Sequence, residues 1–261
     1  MPEPVLETRD LTIRFGGHVA VDAVSCAFHS GTLTAIVGPN GAGKTTYFNL
    51  MSGQLTATSG TVLLGGQDVT GLGAAGRTAR GIGRAFQITS LFPNLSVIEN
   101  VRLAVQARQR QAASLFTRWS SHADWIDQAQ AYLDEVNLGA VRDTMAAALP
   151  HGDKRKLEVA IMMAMEPEVF MFDEPTAGMS VDEVPVILDL IHRLKARGDK
   201  TILLVEHKMD VVRSLADRII VLHNGKLVAD GEPAEVIASA VVQEAYLGQA
   251  PKAPAAGAAH V

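Results

Sequence analysis

The sequence predicts an α/β protein whose core is a parallel β-sheet. Short apolar runs, LTAIV (33–37), VFMFD (169–173) and TILLVE (201–206), indicate buried strands, and helical patterns lie between them. This alternation favours parallel strands joined by crossover helices. Early hairpins and a helical region over about residues 96–148 are predicted as additions to that core.

The first third of the chain is predicted to form strands followed by one helix. TIRFGGHVAV (12–21) indicates two strands around a Gly-Gly turn, and SGTVLLGGQDV (59–69) indicates a hairpin that bends at Gly65-Gly66. LTAIV leads into a Gly-rich loop, and a helix from Gly43 to Met51 should follow it.

The rest of the chain continues the alternation. IGRAFQ (82–87) is a predicted strand, and Ser96 with Glu99 has the form of a helix capping box. The helix after Gly152 is apolar nearly all round, which predicts burial. A helical stripe covers residues 184–194. RIIVLHNGKLVADG indicates a hairpin with Asn-Gly at its turn.

Composition and charge argue against several classes of protein, including nucleic-acid-binding proteins and disulfide-rich proteins. The chain has 261 residues, 48% hydrophobic and 20% charged, which is typical of a globular protein. Its net charge of −5 gives no general attraction for nucleic acid or an anionic membrane. The lone Cys26 excludes an internal disulfide and a Cys-rich metal cluster. MPEPVLETRD carries acids and no apolar core, so we expect no signal peptide.

The Gly-rich loop predicts a phosphate site. GPNGAGKTT fits the pattern G-x-x-x-x-G-K-[ST] between a predicted strand and helix, the context that this motif requires. Backbone N–H groups of such a loop turn toward a phosphate, and the helix start adds partial positive charge. Lys44 should reach the β- and γ-phosphates, and Thr45 should bind Mg²⁺. The predicted cofactor-binding residues of this loop are Gly38, Pro39, Asn40, Gly41, Ala42, Gly43, Lys44, Thr45 and Thr46.

Polar side chains at other strand ends add to this prediction. Asp173 ends an apolar strand, where a Mg²⁺-coordinating carboxylate belongs, and Glu174 follows where it can polarise the attacking water. His207 ends a third apolar strand, in LLVEH, and Gln87 ends a fourth. Carboxyl ends of parallel strands share one sheet edge, so these residues should converge on a nucleotide.

These motifs together resemble the ATP-binding-cassette (ABC) ATPases over residues 5–247. The resemblance rests on GPNGAGKTT, Gln87, LPHGD, VFMFDEP and His207, in that order. FQITSLFPNLSVIENV and DEPTAGMS resemble the branched-chain amino acid class, which also includes urea, amide and aromatic-acid importers. The resemblance implies a P-loop NTPase fold with an antiparallel β subdomain and an inserted helical subdomain at about 96–165. It also implies one nucleotide-binding domain over 1–248, and the Ala- and Pro-rich residues 249–261 are expected to be disordered.

The resemblance also implies roles for single residues. Phe15 would stack on adenine, although a strand-core Phe is the alternative. Glu174, His207 and Gln87 would be catalytic, with His207 holding the γ-phosphate and Glu174. Thr45, Gln87 and Asp173 would bind the metal. The expected cofactors are therefore ATP and Mg²⁺.

The resemblance implies partners as well. Two cassettes would form a head-to-tail dimer, in which Gly152 of one chain helps to bind the ATP of the other. Residues 88–97 would help to form the groove for a helix of the membrane subunits. The predicted assembly has a second, different ATPase chain, two transmembrane permeases and, indirectly, a solute-binding protein. It lies peripherally at the cytoplasmic face of the plasma membrane and binds no nucleic acid.

Three positions depart from the family pattern, and one of them is Asp153, which stands where the signature stretch has Gln. The family Ser that donates to the partner's γ-phosphate is Pro150 here, and Pro offers neither a hydroxyl nor an N–H. The loop after VFMFDEP usually ends in Asp, where this chain has Ser180. A weakened signature and a harmless helix-start proline both remain open. So do two other functions, a homodimeric lipopolysaccharide-export ATPase and an ABC ATPase without a transport role.

Overall fold

The strands of the chain form two sheets. The structure, a computed structural model, describes residues 3–85, 91–109, 123–240 and 242. The strands are β1 (Leu6–Phe15), β2 (His18–Phe28), β3 (Leu33–Val37), β4 (Ser59–Leu64), β5 (Gln67–Asp68), β6 (Ile82–Ala85), β7 (Val169–Asp173), β8 (Thr201–Val205), β9 (Arg218–His223) and β10 (Lys226–Gly231). The helices are α1 (Lys44–Ser52), α2 (Ala74–Thr78), α3 (Val97–Arg108), α4 (Ala123–Glu135), α5 (His151–Ala164), α6 (Val184–Ala196), α7 (Met209–Leu215) and α8 (Pro233–Ala238).

The larger sheet is the predicted parallel core. Its six strands run in the order β10-β9-β3-β8-β7-β6, and only the β10/β9 hairpin is antiparallel. Every residue of β3, β7 and β8 is buried, as continuous apolar runs between covering helices should be. The carboxyl ends of β3, β8, β7 and β6 therefore meet at one edge of the sheet.

The smaller sheet is antiparallel, and both predicted hairpins in it are confirmed. Its order is β2-β1-β4-β5. β1 and β2 turn at Gly16-Gly17, and β4 and β5 turn at Gly65-Gly66. Helix α1 lies between the two sheets: Tyr47 and Phe48 are buried in one cluster with residues of both sheets. The helix that follows the phosphate loop is thus anchored on each side.

Helices α3, α4 and α5 pack against one another and contribute Trp125 and other residues to a second apolar cluster, which also includes Phe170 and Phe172 of β7. Ser96 caps α3, since its Oγ accepts from the Glu99 N–H at 3.4 Å. The Glu99 carboxylate binds Arg102 at 2.9 Å, so the reciprocal half of the predicted capping box does not form. The helical prediction for 96–148 is confirmed in α3 and α4. Residues 139–141 and 146–148 form only 3₁₀ turns.

Three sequence predictions need correction. Helix α5 begins at His151, before Gly152, because Pro150 takes the N-cap position with the extended backbone that a proline allows. The first turns of α5 are also half-buried rather than buried, since they carry Lys154, Arg155 and Lys156. Strand β8 ends at Val205, so His207 lies two residues beyond the strand.

Some predictions fall outside the described residues, namely Gln87, part of the proposed groove (88–90) and the tail 249–261. Within the described parts of the chain, no helix is long and apolar enough to cross a lipid bilayer.

Candidate nucleotide site

The carboxyl edge of the large sheet carries a cavity that collects most of the predicted site. Its volume is about 410 Å³. It is lined by Phe15, His18, Ala20, Asn40, Gly41, Ala42, Gly43, Lys44, Thr45, Thr46, Glu174 and His207. Seven consecutive loop residues, 40–46, are therefore brought together with a carboxylate, an imidazole and an exposed aromatic ring. His18 and Ala20 also line the cavity, although no sequence motif singled them out.

The phosphate loop requires glycine at position 43, directly before α1. Gly43 is the N-cap of α1 with φ of 97°. A Cβ atom at Gly43 would lie 2.4 Å from the carbonyl oxygen of Ala20, so β2 packs directly beneath the loop. This close approach holds the first turn of α1 toward the cavity, where its N–H groups form an anion site.

Lys44 lies over the loop. Its Nζ donates to the carbonyl oxygens of Gly38 and Pro39, at 2.7 and 2.9 Å. Gly38 and Pro39 thus contribute through their carbonyl groups rather than as lining residues. Burial lowers the pKa of Lys44, and the carboxylates of Glu174 and Asp173 act in the opposite direction. Lys44 as a whole residue is 5% exposed.

Glu174 and His207 meet as the sequence predicts. The Glu174 Oε1 and His207 Nε2 atoms share a hydrogen bond of 2.7 Å, and each side chain is 39% exposed. Glu174 has φ of 51°, a costly conformation for a residue with a Cβ, and its N–H donates to Val205 of β8. The turn after β7 therefore aims this carboxylate across the strand end toward the imidazole.

A buried neighbour sets the position of His207. The carboxylate of Glu206, 3% exposed, accepts from Thr176 Oγ1 at 2.5 Å. It also accepts from the backbone N–H of His207 at 2.8 Å. Sequence reasoning missed Glu206 and Thr176. The available signal was a charged residue at the end of an otherwise apolar strand, TILLVE.

Asp173 is not among the residues that line the cavity. Its Oδ2 accepts from Arg84 Nη2 at 2.6 Å, and both side chains are 8% exposed. Sequence reasoning assigned no role to Arg84, although a cation inside the strand IGRAFQ is a signal of the same kind. Phe15, at the end of β1, is 51% exposed, which argues against the strand-core alternative.

The LPHGD stretch lies elsewhere. Pro150 is exposed, and no residue of 149–153 lines this cavity in the described structure. Glu183 connects this stretch with Ser180: its Oε2 accepts from the N–H and Oγ of Ser180, both at 3.0 Å. Its Oε1 lies 1.8 Å from the position that a Cβ of residue 152 would take, so a side chain there would require Glu183 to move. Glu183 therefore lies between Ser180 and the start of α5.

Comparison with known proteins decides the family. A family model described as ABC transporter matches residues 21–177, which include the phosphate loop, LPHGD, Asp173 and Glu174. The chain belongs to the ABC transporter family. It is therefore an ATP-binding ATPase subunit, and the fold predicted for it is confirmed.

Several relatives of this ABC ATPase match over nearly their whole length. The branched-chain amino acid transport ATP-binding protein BraF of Pseudomonas aeruginosa is 36% identical over 256 residues, covering 96% of this chain and 100% of BraF. LivG of Escherichia coli K12, of the same description, is 36% identical over 257 residues, covering 96% and 100%. The lipopolysaccharide export ATP-binding protein LptB of Acidithiobacillus ferridurans is 33% identical, covering 94% and 97%.

A solved ABC cassette shares the fold. The ADP conformation of MJ1267, an ATP-binding cassette of an ABC transporter, superimposes with a TM-score of 0.79 at 27% identity, covering 95% of this chain and 100% of MJ1267.

Proposed function

We propose that this chain is the ATPase subunit of an importer for branched-chain amino acids or related small polar solutes, such as urea, amides or aromatic acids. One observation carries the site assignment: a single cavity is lined by Phe15, the phosphate loop, Glu174 and His207. The solute class is supported by the 36% identity to BraF and LivG, whose names specify branched-chain amino acid transport.

Each lining residue has a distinct task in this proposal. Loop N–H groups and the Lys44 ammonium bind the β- and γ-phosphates. The Phe15 ring, exposed at the cavity wall, stacks on adenine. Glu174 accepts a hydrogen bond from the attacking water and so polarises it. His207 holds Glu174 and the γ-phosphate in position. Gln87, outside the described residues, is assigned to sensing the water and the metal.

The proposed Mg²⁺ site fits the chemistry of the residues at the sheet edge. Mg²⁺ in proteins takes hard oxygen ligands, commonly one or two side chains together with substrate phosphates. Thr45 is exposed at the first turn of α1, and Asp173 is the last residue of β7. These two, with Gln87, would hold the ion. The chemistry that Mg²⁺ supplies is neutralisation of charge on the phosphates.

Transport requires other chains, and we propose that two cassettes pair head to tail. The position of LPHGD away from the chain's own cavity supports a role at the partner's nucleotide. ATP bound between the chains favours the closed dimer, so closure performs the work. The permeases would dock at a second cavity of about 320 Å³, whose lining includes Leu91, Ala85 and Ile161. In this proposal the assembly lies at the cytoplasmic face of the plasma membrane and works with a solute-binding protein.

The two ATP sites of such a dimer should differ in strength. This chain has its own Lys44, Glu174 and His207, whereas its LPHGD completes the site of the other chain. A hydrogen bond to a charged group contributes about 1.5–3 kcal/mol, so loss of the Ser donor weakens that site about tenfold to a hundredfold. If the second chain carries a Ser-bearing signature, the site built on Lys44 and Glu174 is the stronger one.

Replacing Pro150 with Ser is therefore expected to raise the ATPase turnover of the assembled complex severalfold, because it returns both a hydroxyl and an N–H to the start of α5. Pro150→Ala is the matched control, since it returns the N–H alone and should produce a smaller rise. Turnover and ATP affinity that stay at the wild-type level in both variants would support the harmless-proline alternative.

Phe15→Ala is expected to weaken ATP binding about two- to tenfold, the loss of one aromatic stacking contact. Fold stability should change little, since the ring is 51% exposed. Phe92→Ala is a matched control, because Phe92 is 54% exposed and does not line the cavity. Equal ATP affinities for the two variants, measured by calorimetry, would remove Phe15 from the site.

Solute uptake tests the proposed function. In cells that lack this chain, uptake of labelled leucine, isoleucine and valine should fall, and a plasmid copy should restore it. A Glu174→Gln copy should fail to do so. Normal uptake with a defect in lipopolysaccharide export would favour the alternative that the 33% identity to LptB keeps open.

A further inference from the structure

Arg84 is a buried charged residue to which the proposed function assigns no role. It lies in β6 beside β7, with Arg84 paired in register to Met171. Its guanidinium and the Asp173 carboxylate are both 8% exposed, and Nη2 donates to Oδ2 at 2.6 Å. Burial of an ion pair at this depth demands good geometry, since both groups lose their hydration.

The other terminal nitrogen of the guanidinium, Nη1, binds side chains of α1. Nη1 donates to Asn49 Oδ1 at 2.6 Å and to Ser52 Oγ at 2.7 Å. The same group lies over the Phe48 ring, with Cζ 5.1 Å from the ring centroid. Arg84 therefore bridges β7 and the helix that begins with Lys44 and Thr45.

We propose that Arg84 is a positioning residue that holds Asp173 at a set distance and orientation relative to the first turn of α1. The inference rests on the proposed role of Asp173 and Thr45 as Mg²⁺ ligands. Because Oδ2 accepts from Arg84, Oδ1 is the oxygen that would be left to hold the nucleotide metal. A planar group with several donors in fixed directions restrains both partners, which a lysine ammonium does not.

The test is metal affinity rather than turnover. Full-length wild-type protein, Arg84→Met and Arg84→Lys are titrated with Mn²⁺ in the presence of ATP, and bound Mn²⁺ is followed by electron paramagnetic resonance. ATP binding in EDTA is measured in parallel. Arg80→Met is the matched control, because the Arg80 side chain is exposed and contacts only the Gly76 carbonyl among its described hydrogen bonds.

The expected result is a loss of about tenfold or more in Mn²⁺ affinity for Arg84→Met, the scale of one lost hydrogen bond to a charged group. Arg84→Lys should show a smaller loss of Mn²⁺ affinity, and Arg80→Met should show none. ATP binding in EDTA should remain near the wild-type value in all three variants. If Arg84→Met does not fold, Arg84→Lys and Asn49→Ala, which removes one anchor of the guanidinium, provide the same comparison.

Wild-type Mn²⁺ affinity in the folded Arg84 variants would overturn the inference. Asp173→Asn separates this from a failure of the proposed function. If Asp173→Asn lowers Mn²⁺ affinity and the Arg84 variants do not, only the positioning role is wrong. If Asp173→Asn also leaves the affinity unchanged, the assignment of Asp173 to the metal is wrong, and the inference is overturned with it.

Discussion

Replacing Glu174 with Gln is expected to slow ATP hydrolysis by about 10²- to 10⁴-fold, the usual contribution of general acid–base catalysis. ATP should still bind, because the amide keeps the size and a hydrogen bond to His207, while the phosphate loop is untouched. The measurement is phosphate release by the assembled complex at saturating ATP, with nucleotide binding followed separately.

Glu168→Gln is the matched control for this substitution. Glu168 precedes β7 at the opposite edge of the sheet and pairs with Lys200 at 3.6 Å. The complex with Glu168→Gln should hydrolyse ATP at the wild-type rate. A Glu174→Gln complex that retains a third or more of that rate would show that another group activates the water.

Replacing Lys44 with Met should lower ATP affinity by about a hundredfold. The methylene stem is kept, but the ammonium that faces the β- and γ-phosphates is lost, and a charged hydrogen bond contributes about 1.5–3 kcal/mol. Because Nζ also donates to the Gly38 and Pro39 carbonyls, the loop itself should become looser. Titration with a fluorescent ATP analogue measures the effect.

Lys200→Met provides the comparison. Lys200 pairs with Glu168, which precedes β7 at the end of that strand opposite to Asp173. Its ATP affinity should match that of the wild type. Unchanged affinity in a folded Lys44→Met variant would mean that the cavity at the sheet edge is not the phosphate site.

The elements of this fold follow from local patterns. Continuous apolar runs predict β3, β7 and β8, and Asn-Gly predicts the β9/β10 turn, because burial on both faces and turn geometry act over a few residues. The convergence of Lys44, Glu174 and His207 could also be predicted, since parallel strands present their carboxyl ends at one edge.

Contacts across the sheet could not be predicted in the same way. The pairing of Arg84 with Asp173 depends on β6 lying next to β7, although 89 residues separate the two positions. Glu183 similarly joins Ser180 to Gly152 through the packing of one loop against the start of α5. Such pairs depend on strand order and loop packing, which hydrophobic periodicity does not encode.

The most direct measurement is co-purification of the tagged chain, carrying Glu174→Gln, from its native membranes in the presence of ATP. Mass spectrometry would then identify and count the associated chains. The account predicts two permeases and a second, different cassette whose signature carries the Ser that is Pro150 here. Recovery without any membrane subunit would contradict the transport function, and recovery of a homodimer would contradict the unequal ATP sites.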